Sequence, residues 1–225
     1  MANPLSYYPE RNLIFIHVPK TAGTAINRLL EPFQTAGEKT QWRRFLNNLP
    51  VRQNPDRIFI PVHASAAWHR RALGPEIYDN AASFAVVRDP YRRLISAYEF
   101  VRQTPEHRRY ERTLKLDFTA YLRSRYSRLS QLRFIGTPDR SRVMVKHIFR
   151  FETLHDDLNP FLSGLGIDAA LPIGGNLKTS EKMPLDHYLT AENIEIINRA
   201  CDADFRFLGY PKREATGSIA GMRHT

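Results

Sequence analysis

The chain has 225 residues, 42% of them hydrophobic, with one cysteine and a formal net charge of +10. That length supports one sizeable core and is short for two independent ones. A lone Cys201 excludes an intramolecular disulfide and a thiolate zinc site, and no stretch approaches the ~20 apolar residues of a membrane span.

The opening "MANPLSYYPERN" has neither the basic start nor the apolar run of a secretion leader, so a reducing cytoplasm is the expected setting. Leu13 to Val18 is a near-continuous apolar run, which predicts a strand buried on both faces. The helix that follows carries Ile26, Leu29 and Leu30 at helical spacing and stops before Pro32. "RIFIPVH" (Arg57 to His63) is expected to form a second strand and "SFAVV" (Ser83 to Val87) a third, each followed by helical sequence. "RVMVKHIFRF" supplies a fourth strand, and "TLHDDLNPFLSGLG" a helix interrupted around Pro160. A last helix covers "TAENIEIINRACDADFRFLGY", with Thr190 as its N-cap and Cys201 as a packed thiol. Strands alternating with helices indicate an α/β fold with a mainly parallel sheet flanked by helices. Residues 1–213 form one expected domain, and 214–225 an aperiodic, disordered tail.

The charge is unevenly spread. Arg102 to Arg150 holds thirteen Lys and Arg against four Asp and Glu, an excess of nine. Such a field attracts polyanions: nucleic acid, acidic glycans or phosphorylated cofactors. A solvated arginine-rich helical face would carry the same charge with no ligand. Leu114, Phe118, Tyr121, Leu122 and Tyr126 recur at helical spacing, which assigns most of them to the core.

Two short stretches carry chemistry. In "IFIHVPKTAGT" a buried strand leads into a polar turn, the place where open α/β sheets bind ligands. Gly23 permits a tight turn, and the amides of Thr21 to Thr24 can converge on an anion at the start of a helix. Lys20 adds a point charge, and Thr21 and Thr24 add hydroxyl donors. In "VVRDPYRRLISAY", Asp89 and Pro90 make a helix start. Arg92, Ser96, Glu99 and Gln103 then form one polar stripe. Arg88 closes the preceding strand at the same sheet edge as Lys20, so Arg88 and Ser96 can clamp a second phosphate.

Together the two stretches resemble the cofactor motifs of the PAPS-dependent sulfotransferases, PAPS being 3′-phosphoadenosine 5′-phosphosulfate. "HVPKTAGT", "RFETL" and the C-terminal "YLTAENIEIINRACDADFRFLGY" are similar to the branch that includes the heparan sulfate uronyl sulfotransferases and bacterial relatives. The resemblance implies a P-loop-like three-layer fold. It also implies a 5′-phosphosulfate held by Lys20, Thr21, Ala22, Gly23 and Thr24, a 3′-phosphate held by Arg88 and Ser96, and no metal. Membrane-bound members begin with a transmembrane anchor that is lacking here, which implies a soluble version and loosens transfer of their substrate.

Sulfuryl transfer to a hydroxyl needs a base at the acceptor oxygen and positive charge where the leaving phosphate develops its own. Lys20 suits the second role. His63 ends the expected second strand, and a histidine has an ordinary pKa near ~6.5, suited to a proton acceptor; the resembled branch has a catalytic histidine in this region. Glu152 in "RFETL" is the alternative base, and His17 packs or orients the loop. "GGNLKTS" is a loop whose Lys178 would close over the nucleotide or lie at a plain surface. The expected acceptor is a hydroxylated molecule: an acidic glycan fits the arginine-rich segment, with a small hydroxylated metabolite or a lipid-linked sugar as the alternatives; no nucleic acid is expected. Two other classes compete. A nucleotide kinase or NTPase would share the loop architecture, but "GxxxxGK[ST]" and a magnesium-binding aspartate at a strand end are missing. A noncatalytic polyanion-binding protein would leave both phosphate motifs without a purpose.

Overall fold

The computed structural model describes residues 6–34, 41–46, 49, 52–55, 58–125, 128–168, 170–171 and 183–215. In chain order the elements begin with β1 (Tyr7–Tyr8), β2 (Leu13–Ile16), α1 (Gly23–Leu30) and α2 (Gln41–Leu46). α3 (Ala66–Leu73), α4 (Pro75–Asn80), β3 (Ala82–Val87) and α5 (Pro90–Arg102) follow. Next come α6 (Tyr110–Leu114), α7 (Phe118–Arg125), α8 (Leu132–Ile135), β4 (His147–Arg150) and α9 (Leu154–Gly164). The chain closes with α10 (Leu185–Tyr188), α11 (Ala191–Ala200) and α12 (Asp202–Leu208).

These elements form two compact units, Met1–Arg88 with Gln131–Leu177, and Asp89–Ser130 with Lys178–Thr225. The first holds the sheet, in order β1-β2-β3-β4. β1 is antiparallel to β2, while β2, β3 and β4 are mutually parallel, so the fold is the α/β type expected. Leu13, Phe15, Phe84 and Val86 are buried with Ile26 and Leu30 of α1 and Leu154, Leu158 and Leu162 of α9. The Phe15 and Phe84 rings stack with centroids 4.8 Å apart. Because the three parallel strands run the same way, His17, Arg88 and Phe151 all emerge at the carboxyl end of the sheet.

The expected strand over Arg57 to His63 is not formed. Residues 58–61 have no regular structure, residues 62 and 63 are in a turn, and Arg57 lies outside the described residues. Ile58 and Ile60 are still buried, so the alternation marks packing without a ladder. Pro61 removes a donor that a central strand needs, and its carbonyl instead accepts the Ala64 N–H at 2.9 Å. Both edges of β2 and β3 are already taken, and β1 is the strand that fills the sheet to four. α9 also runs unbroken through Pro160. The missing helical bond falls on the turn of exposed Asp156, while Leu154, Leu158 and Leu162 hold both halves in the core.

The second unit is helical. Asp89 caps α5 by accepting the Arg92 N–H at 2.9 Å, and Thr190 caps α11 by accepting the Asn193 N–H at 3.3 Å. The expected single last helix is two, α11 and α12, meeting at the buried thiol of Cys201. Phe118, Tyr121 and Leu122 are buried as the spacing required. Leu114 is not, being 41% exposed at the end of short α6, and Tyr126 lies outside the described residues. Of the tail, Glu214 and Ala215 have no regular structure, and 216–225 lie outside the described residues.

Candidate functional site

The turn after β2 is built from strained backbone. Lys20 and Ala22 have φ of 71° and 68°, the left-handed region that costs a non-glycine residue roughly 1–3 kcal/mol when held against its preference. φ therefore alternates in sign from Lys20 to Gly23, the backbone form that turns successive N–H groups into an anion-binding concavity. Helix geometry leaves the N–H groups of Gly23 and Thr24 without intrahelical acceptors at the start of α1. Thr24 is exposed there. Thr21 is fully buried, and its hydroxyl donates inward to the Val18 carbonyl at 2.9 Å, so it fastens the turn and offers an anion its backbone only.

Gly23 does not make the turn, as its sequence context suggested; the positive φ values belong to Lys20 and Ala22. What requires glycine is the His17 ring. A Cβ at Gly23 would lie 1.9 Å from His17 Nε2 and 2.0 Å from its Cδ2. His17 is 8% exposed, and burial, with His63 and Lys20 nearby, pushes its pKa down to about 3. It is a neutral spacer, stacked on Phe15 at 5.7 Å and accepting at Nδ1 from the Asn27 amide at 3.4 Å. Gly23→Ala must displace that ring, and overpacking of this kind costs ~1–3 kcal/mol. Denaturant unfolding should show the midpoint falling accordingly; an unchanged midpoint would contradict the packing.

His63 sits against the same ring, with centroids 4.5 Å apart and edge on. Its Nδ1 lies 3.1 Å from the His17 carbonyl oxygen. A carbonyl only accepts, so Nδ1 carries the proton and Nε2 keeps the lone pair. Burial lowers the His63 pKa, and the bond to the His17 carbonyl offsets part of that. The residue itself remains exposed at its rim. A neutral imidazole with an accessible Nε2 can accept a proton.

Arg88, one residue beyond β3, is 4% exposed, with its guanidinium 4.3 Å from the Phe151 ring centroid. Its backbone is clasped by Gln131, whose Oε1 accepts the Arg88 N–H at 3.0 Å and whose Nε2 donates to the Arg88 carbonyl at 2.8 Å. Gln131 is fully buried. Nothing in the sequence marked it, because one glutamine in an arginine-rich run has no local signature. Lys20 is half-buried, and burial together with the Arg88 charge depresses its pKa to about 8. Two cations near enough to disfavour each other at a sheet's carboxyl end create a positive field that attracts anions.

The first unit thus gathers Lys20, Thr21, Ala22, Gly23, Thr24, His63 and Arg88. Glu152 is exposed in the 3-10 turn after β4. Ser96 belongs to the second unit, where it is 1% exposed on α5. The polar stripe expected on α5 is split: Arg92 and Gln103 are exposed, while Ser96 and Glu99 are buried, and Glu99 accepts from the Tyr188 hydroxyl at 3.0 Å. Lys178 lies outside the described residues. Among the described residues no group of three or more His, Cys, Asp or Glu is placed to hold a metal ion, and no helix is long and apolar enough to cross a membrane.

A family model described as "Sulfotransferase family" matches residues 4–210. No curated protein and no solved structure matches the chain.

Proposed function

The chain belongs to the sulfotransferase family, and from that premise we propose that it transfers a sulfuryl group from PAPS to an acceptor hydroxyl by in-line displacement. The observation that carries this reading is the pair Lys20 and Arg88, like charges held together beside a strained loop at the carboxyl end of the sheet. Such a pair suits a donor that is anionic at both ends. When bound, PAPS supplies a sulfuryl group already attached to a phosphate that can leave.

The chain's residues then have distinct tasks. The N–H groups at the start of α1 and the Lys20 ammonium meet the negative charge that develops on the departing phosphate. Arg88, held in place by Gln131, and Ser96 are assigned to the 3′-phosphate, with Lys178 closing over the nucleotide. His63 Nε2 takes the proton of the attacking hydroxyl, and the His17 carbonyl holds the tautomer that leaves Nε2 basic. Glu152 is the second candidate base. The matched stretch runs through both units, which supports 1–213 as one functional domain. Membership of the family brings with it a hydroxyl-bearing acceptor. The charge of the 102–150 segment favours a carbohydrate, an anionic glycan in particular, in the manner of the uronyl sulfotransferase branch. A cytoplasmic setting remains part of this reading.

Calorimetric titration with 3′,5′-adenosine bisphosphate, beside ATP with magnesium, tests it directly. The wild type should bind the bisphosphate more tightly by ~10-fold or more, and Arg88→Ala should lose ~10-fold or more of that affinity. Preference for ATP would move the protein to the phosphoryl transferases. If neither nucleotide bound and DNA bound with a steep salt dependence, the basic segment would be the functional surface instead.

A further inference from the structure

The second unit contains a cavity of about 390 Å³ between the end of α5, the start of α7 and α10. That volume lies in the range of small-molecule sites, which combine apolar walls with a few placed polar groups. The apolar wall is an aromatic cluster. Tyr98 and Phe118 have ring centroids 5.4 Å apart, and Phe118 and Tyr188 5.5 Å apart. Met183, 49% exposed, lines the cavity beside them.

Glu99 is the unusual group in this wall. It is 7% exposed, and its two oxygens accept from the Tyr188 hydroxyl at 3.0 Å and the Gln103 amide at 3.3 Å. Both donors are neutral, and among the described residues no cationic side chain is within ion-pair distance of it. A carboxylate removed from water without a countercharge is costly, and a cation entering the cavity would remove that cost. Asp117 adds a second carboxylate to the lining, with its Oδ1 accepting the Ala120 N–H at 2.7 Å.

Arg102 stands one turn from Glu99 but turns to Tyr98. Its Nη1 donates to the Tyr98 hydroxyl at 3.1 Å, and its guanidinium lies 5.1 Å from that ring's centroid. The other N–H groups of a guanidinium fork can receive a carboxylate. One cation and two carboxylates around an aromatic wall define a charge pattern rather than a generic hollow.

We propose that this cavity binds a small zwitterion. Its ammonium would meet Glu99 and Asp117, its carboxylate Arg102, and its apolar body Phe118 and Met183. An amino acid with an apolar side chain has this chemistry. The residues of this cavity all belong to the second unit, and the proposal does not depend on the identity of the donor.

Calorimetry of the full chain with three probes at millimolar concentration decides it: L-phenylalanine, phenethylamine and 3-phenylpropionate. The last two each lack one of the two charges. L-Phenylalanine should bind at least ~10-fold more tightly than either, since each charged contact is worth about that much or more. Glu99→Gln should cost ~10-fold or more and leave binding of 3-phenylpropionate unchanged. Should Glu99→Gln fold poorly, Arg102→Ala at the half-buried rim serves, with the loss expected for L-phenylalanine and none for phenethylamine. Absence of binding by all three probes overturns the proposal. So does equal binding of L-phenylalanine and phenethylamine, or unchanged binding in a folded variant.

Discussion

Lys20→Ala is expected to lower turnover by ~10²–10³-fold, the usual cost of removing one donor aimed at developing negative charge. The substitution is a clean one. Alanine keeps a Cβ, so the left-handed backbone at φ 71° is neither relieved nor newly strained, and the half-buried side chain leaves no core cavity. The pH profile separates this role from simple packing. Burial and Arg88 bring the Lys20 pKa down to about 8, so its ammonium is present below that value and lost as pH rises through it. kcat/KM, which reports groups of the free enzyme, should therefore fall on the alkaline side near pH 8. That limb should disappear in Lys20→Ala. Anion binding favours the charged amine and raises its pKa, so bisphosphate binding near pH 8 should take up a proton. The uptake is visible as a dependence of binding heat on the ionisation enthalpy of the buffer. A variant with wild-type turnover, or an alkaline limb that survives the substitution, would remove Lys20 from the chemistry.

The sequence announced the loop's place and charge because both are local. A buried apolar run followed by a polar turn requires a strand end, and Asp89-Pro90 requires a helix start; β2, β3 and the α5 cap all formed accordingly. What it could not announce depends on partners that only the folded chain brings together. Gly23 looked like a turn residue, but its necessity comes from the His17 ring across the loop, six residues earlier. Gln131 reaches Arg88 across 43 residues, a pairing created only by the β3-to-β4 crossover. Residues 58–61 showed the apolar alternation of a strand, yet sheet membership needs an open edge as well as a pattern, and neither β2 nor β3 had one. The left-handed backbone at Lys20 and Ala22 has no signature at all, since neither residue prefers it. Strain of that kind persists where the surrounding structure over-determines it, here through the Thr21 hydroxyl bond to Val18 and the first turn of α1.

His63→Ala is expected to reduce turnover by ~10²-fold or more, the typical contribution of a positioned base, while leaving bisphosphate affinity unchanged. Stability should change little, because the ring is exposed at its rim and its hydrogen bond to the His17 carbonyl is made at that same exposed position. The acid side of the pH profile supplies the specific signature. Burial sets the His63 pKa below the ordinary histidine value, so the neutral, basic form prevails at neutrality and is lost as pH falls through that lowered pKa. Turnover should decline in the same window, and the decline should vanish in His63→Ala, leaving a slow rate that is flat on the acid side. His63→Asn tests tautomer and position, since its amide can still donate to the His17 carbonyl but offers no basic nitrogen; it should be as slow as alanine. Glu152→Gln provides the counter-experiment. Should Glu152→Gln abolish the acid limb while His63→Ala retains it, the base is the carboxylate after β4, and His63 serves only to pack the His17 ring that Gly23 admits.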